Sequence, residues 1–332
     1  MTLIRGGNVR VGTRQLLHLA SLAGSLGVGA CTRGTEPSLN GKTHPAGTIA
    51  ASVGVGARPY GIALAGSTAI VTQLDAAQVV RLDVTSGRVL DSIPVGNVPT
   101  GIAVFANGTA AAVTNQMDAN VEFLDLGSQR STGFIAGPST TFRVLPSRDE
   151  RHLYATASVG SLGVISLPGH SVEASIDVGG APNGLALSPD GKTLYVTAMA
   201  GGITVVNTTS NTVTRTIPLS GTLQDIAVSV DGGELYVADE SSANIHVLDA
   251  ATGATRTDVA MGASVFGLTL TPDGRQIYAT SASSGMLWIL DRASRSKVSS
   301  ISIGGTPRRV AFDDAGATAV VSNEAGFVTI IR

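Results

Sequence analysis

Short apolar runs alternate with turn residues along most of this chain. In the stretch that starts at Val178, the runs NGLALS, LYVT, ITVVN and TVTRTIPL are separated by PDG, by a small loop and by TTSN. Runs rich in β-branched and aromatic residues, bounded by Pro, Asp, Asn and Gly, are typical of short strands joined by turns. The stretch lacks the 3.6-residue period of an amphipathic helix. It therefore predicts a four-stranded antiparallel meander.

This unit repeats seven times, and each copy opens with a phrase related to V-G-x-x-P-x-G-I-A. The phrases are spaced by 40 to 42 residues and begin at Val55, Val95, Ala136, Val178, Leu219, Met261 and Ile303. A regular period in this range, with four strands per unit and no helix, predicts an all-β, seven-bladed β-propeller. A parallel β-helix is the alternative, but its coils are usually shorter and do not carry two hairpin turns each.

The seventh copy supplies only three strands, RRVAFD, AVVSN and FVTII, before Arg332. Residues 49–55, IAASVGV, are similar to the fourth strands of other copies, such as SIPVG and SIDVG. An unpaired strand edge is a liability that a closed ring removes. We therefore predict that residues 48–332 form the propeller, and that the N-terminal strand completes the last blade.

The second strands carry a recurring motif that resembles a known family. They read LYVTA at Leu194, LYVAD at Leu235 and IYATS at Ile277, and SPDGK and TPDGR precede two of them. With the V-G-x-x-P phrases, residues 49–332 resemble the YVTN-repeat, YncE-like β-propellers. That group and its relatives include surface-layer proteins, envelope proteins with proposed DNA binding, and propellers with haem or lactonase sites. The resemblance implies the fold, and a shared fold does not transfer any of these activities.

The first 30 residues do not belong to the repeats. Three arginines precede an apolar run over residues 16–30, which is too short to span a bilayer and suits the central region of a secretory signal peptide. The run ends in VGA followed by Cys31, the only cysteine, and this sequence resembles a bacterial lipoprotein box. We predict a lipoprotein-type signal peptide over 1–30, lipid on Cys31 and a flexible tether over 31–47. The protein would then be exported to the cell envelope and face the periplasm or the exterior, with the membrane reached through the lipid alone.

Charge and histidine content limit the chemistry. The net charge is −2, and removal of residues 1–30, which contain three arginines and no acid, changes it to −5. This acidity, with only three lysines, argues against nucleic-acid binding. The histidines after residue 30 fall in different parts of the chain and show no metal-ligand spacing: His44, His152, His170 and His246. We therefore expect no metal, no haem or other cofactor, and no catalytic set.

Positions that vary while the repeat framework holds are candidates for function. The residue before the usual glycine of the first strand is Tyr60, Thr100, Thr141, Asn183, Gln224, Phe266 or Arg308. The glycine itself is replaced by Phe142, Asp225 and Arg309 in three copies, and Arg143 follows Phe142. We expect these residues at the rim of the central channel, where propellers commonly bind ligands. The predicted ligand-binding residues are Arg58, Tyr60, Phe142, Arg143, Asn183, Gln224, Asp225, Phe266, Arg308 and Arg309. Alternatively, Asp225 and the arginines pair with each other and fill the channel.

The leading functional hypothesis is a monomeric, non-enzymatic, lipid-anchored propeller that binds a protein, peptide or glycan in the bacterial cell envelope. A second hypothesis is a lactonase-type hydrolase with its site in the channel, for which Asp225 and the arginines are the only material. A third is a nucleic-acid-binding propeller, which aromatic and basic rim residues would allow.

Overall fold

The computed structural model describes residues 41–137 and 140–332. They form seven four-stranded antiparallel sheets, and the innermost strands of neighbouring sheets contact one another around a ring. The predicted all-β, seven-bladed propeller is therefore confirmed. The predicted signal peptide and Cys31 lie outside the described residues.

Each blade runs from an innermost strand to an outermost strand. Blade 1 contains β2 (Pro59–Ala65), β3 (Thr68–Gln73), β4 (Gln78–Asp83) and β5 (Arg88–Pro94). Blade 2 contains β6 (Pro99–Phe105), a 3₁₀ turn (Ala106–Gly108), β7 (Ala110–Asn115), β8 (Asn120–Asp125) and β9 (Arg130–Ala136). Blade 3 contains β10 (Thr141–Pro146), β11 (His152–Ala157), β12 (Ser161–Ser166) and β13 (Ser171–Asp177).

The remaining blades follow the same order. Blade 4 contains β14 (Pro182–Leu187), β15 (Thr193–Ala198), β16 (Ile203–Asn207) and β17 (Thr212–Ile217). Blade 5 contains β18 (Leu223–Val228), β19 (Glu234–Asp239), β20 (Asn244–Asp249) and β21 (Thr255–Ala260). Blade 6 contains β22 (Leu268–Leu270), β23 (Gln276–Ser281), β24 (Met286–Asp291) and β25 (Ser296–Ser302). Blade 7 contains β26 (Pro307–Phe312), β27 (Ala319–Asn323), β28 (Phe327–Ile331) and β1 (Ile49–Gly54).

The N-terminal strand closes the ring, as predicted. Strand β1 pairs with β28 in an antiparallel register that sets Val53 opposite Val328. The backbone of Thr48 exchanges two hydrogen bonds of 2.9 Å with Arg332 at the end of this pair. Just before β1, Thr43 donates its N–H to Ala315 at 2.8 Å, and the Tyr278 hydroxyl donates to the Pro45 carbonyl at 3.2 Å. The last residues of the predicted tether therefore lie against blades 6 and 7.

The hydrophobic core lies between neighbouring blades. One buried cluster, for example, joins Tyr236 and Val247 of blade 5 to Leu268 and Trp288 of blade 6. Side chains alternate between the two faces of a strand, and here both faces are covered by adjacent blades. A single repeat could not bury both of its faces alone, and this explains the apolar content of 43%.

The ring has two ends, which the loops distinguish. At one, here called the loop end, each connection between blades meets the loop between the second and third strands. Gln116, for instance, donates its N–H to Val98, and Glu324 donates to Thr306, both at 3.0 Å. The other end, here called the turn end, carries the tight turns after the first and third strands. There Asp83 accepts the Ser86 N–H at 2.7 Å, which stabilises the turn.

Candidate binding site in the central channel

Four of the seven blades have a glycine at the same place, within the innermost strand or, for Gly267, directly before it, because neighbouring innermost strands approach one another closely there. The glycine N–H donates to a threonine hydroxyl of the second strand, at 2.7 to 2.9 Å, in the pairs Gly61–Thr72, Gly101–Thr114, Gly184–Thr197 and Gly267–Thr280. A Cβ atom on Gly101 would lie 2.5 Å from the Phe142 carbonyl oxygen of the next innermost strand. A Cβ on Gly184 would lie 2.8 Å from the Cα of Asp225.

Blades 3, 5 and 7 place a charged residue where the others have this glycine. Arg143 and Arg309 donate their N–H groups to Thr156 and Ser322, each at 3.1 Å, as the glycines do. In blade 5 the position belongs to Asp225, which directly precedes the pair Ile226–Val237. Substitution of the repeat's own glycine thus produces three charged side chains in alternate blades.

In the third copy, the prediction that Phe142 replaces the glycine is wrong by one residue. The strand pairing places Arg143 at the glycine position instead. Thr141 lies opposite Ala157, where blade 1 sets Pro59 opposite Gln73. The connection before β10 therefore has one residue more than the V-G-x-x-P phrase, and Phe142 occupies the position of Tyr60.

The three charged residues meet inside the channel. Asp225 accepts hydrogen bonds from Arg309 Nη1 at 2.6 Å, from Arg143 Nη2 at 3.1 Å and from the Leu268 N–H at 3.1 Å. Because blades 3, 5 and 7 are not adjacent, these ion pairs cross the channel. Asp225 and Arg309 are only 3% and 5% exposed. This is the geometry of the alternative in which the arginines pair with Asp225.

Aromatic and amide side chains fill the loop end of the channel. The guanidinium carbon of Arg308 lies 4.3 Å from the Phe266 ring centre, and that of Arg309 lies 4.8 Å from the same ring. Both distances are in the range of cation–π contacts. Tyr60 meets Phe266 edge-on with a centroid separation of 6.1 Å. Asn183 donates its amide to Gln224 at 2.7 Å.

Beyond this layer, the loop end carries a group of charged side chains that are partly exposed. Glu324 accepts from Arg308 Nε at 2.5 Å and from Arg58 Nη2 at 2.8 Å. Arg58 also approaches Asp75 at 3.3 Å.

The ten predicted ligand-binding residues therefore lie at different depths in and around the channel. Arg58 is exposed; Tyr60, Phe142, Arg143 and Arg308 are half-buried; Asn183, Gln224, Asp225, Phe266 and Arg309 are buried. Their role in binding a ligand stays a prediction.

A cavity of about 370 Å³ lies in the channel, and the three charged residues of these ion pairs form part of its wall. Its walls come from the middle and the C-terminal parts of innermost strands, so it extends towards the turn end. The charged residues on its wall are Arg143, Asp225 and Arg309, and the apolar ones include Leu145, Leu270, Pro272 and Phe312. Arg143 keeps 26% of its side chain exposed although protein surrounds it. Burial, together with the charge of Arg309, lowers the pKa of Arg143 to about 10.

A second arginine cluster lies between blades 5 and 6 at the turn end, beside a cavity of about 640 Å³. Glu234 accepts from Arg256 Nη1 and Arg295 Nε, both at 3.0 Å, and Arg292 approaches it at 3.5 Å. Arg256 also pairs with Asp249 at 2.6 Å, and Arg292 pairs with Asp231. Sequence reasoning missed this cluster because it compared the copies only around the V-G-x-x-P phrase.

His246 is buried on β20 and uses both ring nitrogens. Nδ1 lies 2.7 Å from Asp258 Oδ1, and Nε2 lies 3.3 Å from Asp239 Oδ2. In the described part of the chain, no three His, Cys, Asp or Glu side chains come together as a metal site. Over the same residues, no helix has the length and apolar character needed to cross a membrane.

Comparison with known proteins supports the fold. No family model and no curated protein matches the chain. Among solved structures, a chain of Kuenenia stuttgartiensis hydrazine synthase is similar, with a TM-score of 0.77 and 18% identity. The match covers 83% of this chain and 96% of that chain. At this identity, the likeness establishes the propeller fold alone.

Proposed function

We propose that this protein is a non-enzymatic binding propeller of the YncE-like group, held at the bacterial cell envelope by lipid on Cys31. Its ligand docks on the loop end of the ring. A protein or peptide fits this surface better than a glycan does, since the exposed groups described next are apolar.

The exposed apolar side chains of the loop end carry this proposal. Met117, Val159 and Met199 occupy the loop between the second and third strands in three consecutive blades, and they are 69%, 67% and 39% exposed. The corresponding loops of blades 1, 5 and 7 carry Asp75, Glu240 and Glu324 instead. The exposed apolar side chains suit a peptide segment that presents apolar residues, because Asp75 and Glu324 already pair with Arg58 and Arg308. Exposed apolar side chains that recur in neighbouring loops at one end of the ring can mark an interaction surface.

The two alternative functions have less support. A lactonase-type site would use Asp225 as its base, but two guanidinium groups and two backbone N–H groups already bind this carboxylate. A nucleic acid would need free cations, whereas Arg58 and Arg308 both pair with Glu324. Phosphate binding by these side chains would have to break that pairing.

A capture experiment with matched variants tests the docking face. The immobilised protein would be incubated with cell-envelope extract, in three forms: unaltered, with Met117, Val159 and Met199 changed to Ser, and with Val89, Val172 and Val298 changed to Ser. The control residues are also exposed but lie on outermost strands. We expect the loop variant alone to lose its bound protein, with an unchanged melting temperature. Equal capture by all three forms, or recovery of glycan only, would contradict the proposal.

The anchor is tested separately by growth with radioactive palmitate. The unaltered protein should be labelled and Cys31→Ala should not. A label that survives the substitution would refute lipidation at this cysteine.

A further inference from the structure

The channel cavity carries more positive than negative charge on its walls. Arg143 and Arg309 face the carboxylate of Asp225, and within residues 41–137 and 140–332 no other charged residue contributes to the wall of this cavity. The nearest acidic groups at the loop end are engaged elsewhere, since Glu324 binds Arg58 and Arg308 while Glu240 accepts from the Gln224 amide. The cavity wall therefore has an excess of one positive charge.

This excess lies inside the channel, where Asp225 and Arg309 are buried and only 26% of the Arg143 side chain is exposed. A buried charge is costly unless it is paired and hydrogen-bonded. Among the described residues, Arg143 uses only Nη2 of its guanidinium in a bond to protein, and 26% of its side chain is exposed. The remaining guanidinium donors of Arg143 lie beside the cavity, and a planar, two-oxygen anion can satisfy such donors.

The shape and lining of the cavity narrow the class of anion. Its volume corresponds to roughly twelve water molecules at about 30 Å³ each, which is at the small end of ligand pockets. Leu145, Leu270 and Phe312 line it and are half-buried, so part of each apolar side chain faces open space. An inorganic anion would leave this apolar surface wet, whereas a short acyl or aromatic body would cover it.

We propose that the channel cavity binds a small monocarboxylate, whose carboxylate meets Arg143 and whose apolar body lies against Leu145, Leu270 and Phe312. The ligand enters from the turn end, since Tyr60, Phe266 and Arg308 fill the loop end. This site is independent of the docking face at the loop end, and either can exist without the other.

A charge series on the unaltered protein tests the site without any substitution. Hexanoate, hexanamide, hexylammonium, chloride and phosphate would be titrated separately by isothermal calorimetry at neutral pH. We expect hexanoate to bind one per chain with a Kd of about 1 mM or below. The amide, the ammonium compound and both inorganic ions should bind at least tenfold more weakly. Equal binding of hexanoate and hexanamide, or of hexanoate and chloride, would overturn the proposal, as would no hexanoate binding.

Variants then locate the site. Arg143→Gln should weaken hexanoate binding at least tenfold, and Arg143→Lys should retain part of the affinity because it keeps the charge. Arg130→Gln changes an exposed arginine on the outermost strand β9 and should bind like the unaltered protein. Undiminished binding by Arg143→Gln would exclude the channel as the site. If that variant does not fold, the charge series on the unaltered protein still decides the proposal.

Discussion

Asp225 in the channel and Glu234 at the turn end each gather several arginines, but their charge balance differs. Asp225 pairs with Arg143 and Arg309, which gives two positive charges and one negative charge. Glu234 shares three arginines with Asp231 and Asp249, which gives three charges of each sign. The balanced cluster lies where water reaches it and links blades 5 and 6. The unbalanced cluster lies where water reaches it poorly, which makes the excess charge a feature to be explained by binding.

The largest expected effect follows from removal of the carboxylate that the two channel arginines share. Asp225→Asn would leave two guanidinium groups without a counter-charge, so we expect a loss of about 3–5 kcal/mol in the free energy of unfolding. Urea denaturation at pH 7 measures it. Asp75→Asn is the control, since this side chain is 55% exposed and its loss should cost less than about 1 kcal/mol. Similar midpoints for the two variants would mean that the channel ion pairs add little stability.

A smaller loss in the free energy of unfolding is expected when Glu234 of the balanced cluster is substituted. Glu234→Gln removes a buried acceptor of several hydrogen bonds, but Arg256 and Arg292 keep Asp249 and Asp231 as partners. We expect a loss of about 1–3 kcal/mol by the same measurement. Glu173→Gln, at a 43% exposed position beside His152, serves as control. A loss larger than that of Asp225→Asn would reverse the comparison.

Acid should weaken the balanced cluster in a defined range. Burial alone would raise the pKa of Asp231, but hydrogen bonds from Ser229 and Arg292 outweigh it and lower the pKa to about 2. The pKa of Glu234 is likewise lowered, because bonds from Tyr236 and Arg295 outweigh its burial.

In the unfolded chain, the pKa of an Asp carboxyl is about 3.9 and that of a Glu carboxyl is about 4.3. Their contribution is therefore complete above about pH 4.3 and is lost as the pH falls towards about 2. Urea midpoints between pH 2 and 7 should decline less steeply for Glu234→Gln than for the unaltered protein. Parallel curves would contradict this assignment.

The smallest effects are expected from the arginines. Arg295→Gln should cost less than about 1 kcal/mol, since the side chain is 38% exposed and Glu234 keeps Arg256, Arg292 and the Tyr236 hydroxyl as partners. Arg143→Gln removes the excess charge, so the unfolding free energy should change by less than about 1 kcal/mol or rise. The lowered pKa of Arg143 reflects this unfavourable charge. A loss near that of Asp225→Asn would show that both arginines are needed for stability.

The fold was predictable because the same pattern of strands and turns occurs in seven copies. Strand, turn and period agree in each copy, and the missing strand of blade 7 was identified from the similarity of residues 49–55 to other fourth strands. The Asp-containing turns were predictable for the same reason, since Asp83 and its equivalents bind backbone groups within three residues.

The site was predictable only in part. Comparison of the copies identified Arg143, Asp225 and Arg309, but an extra residue before β10 shifted the alignment, and the period alone could not locate it. The meeting of blades 3, 5 and 7 across the channel depends on side-chain reach, which strand patterns do not contain. The Glu234 cluster joins residues of two blades through turns that look ordinary in each copy.

The pairing of β1 with β28 sets the order of events when this chain is made. Strand β1 is synthesised before the other strands of the propeller, and its partner β28 is synthesised after β27. Strand β1 therefore stays unpaired while β2 to β27 are synthesised. Every other blade pairs strands that are close in sequence, but the last blade depends on a contact between distant segments, which forms slowly. Until then the blade 7 edge and the blade 1 interface stay open to other chains. We therefore expect ring closure to be the slow step of folding and the stage most exposed to misassembly.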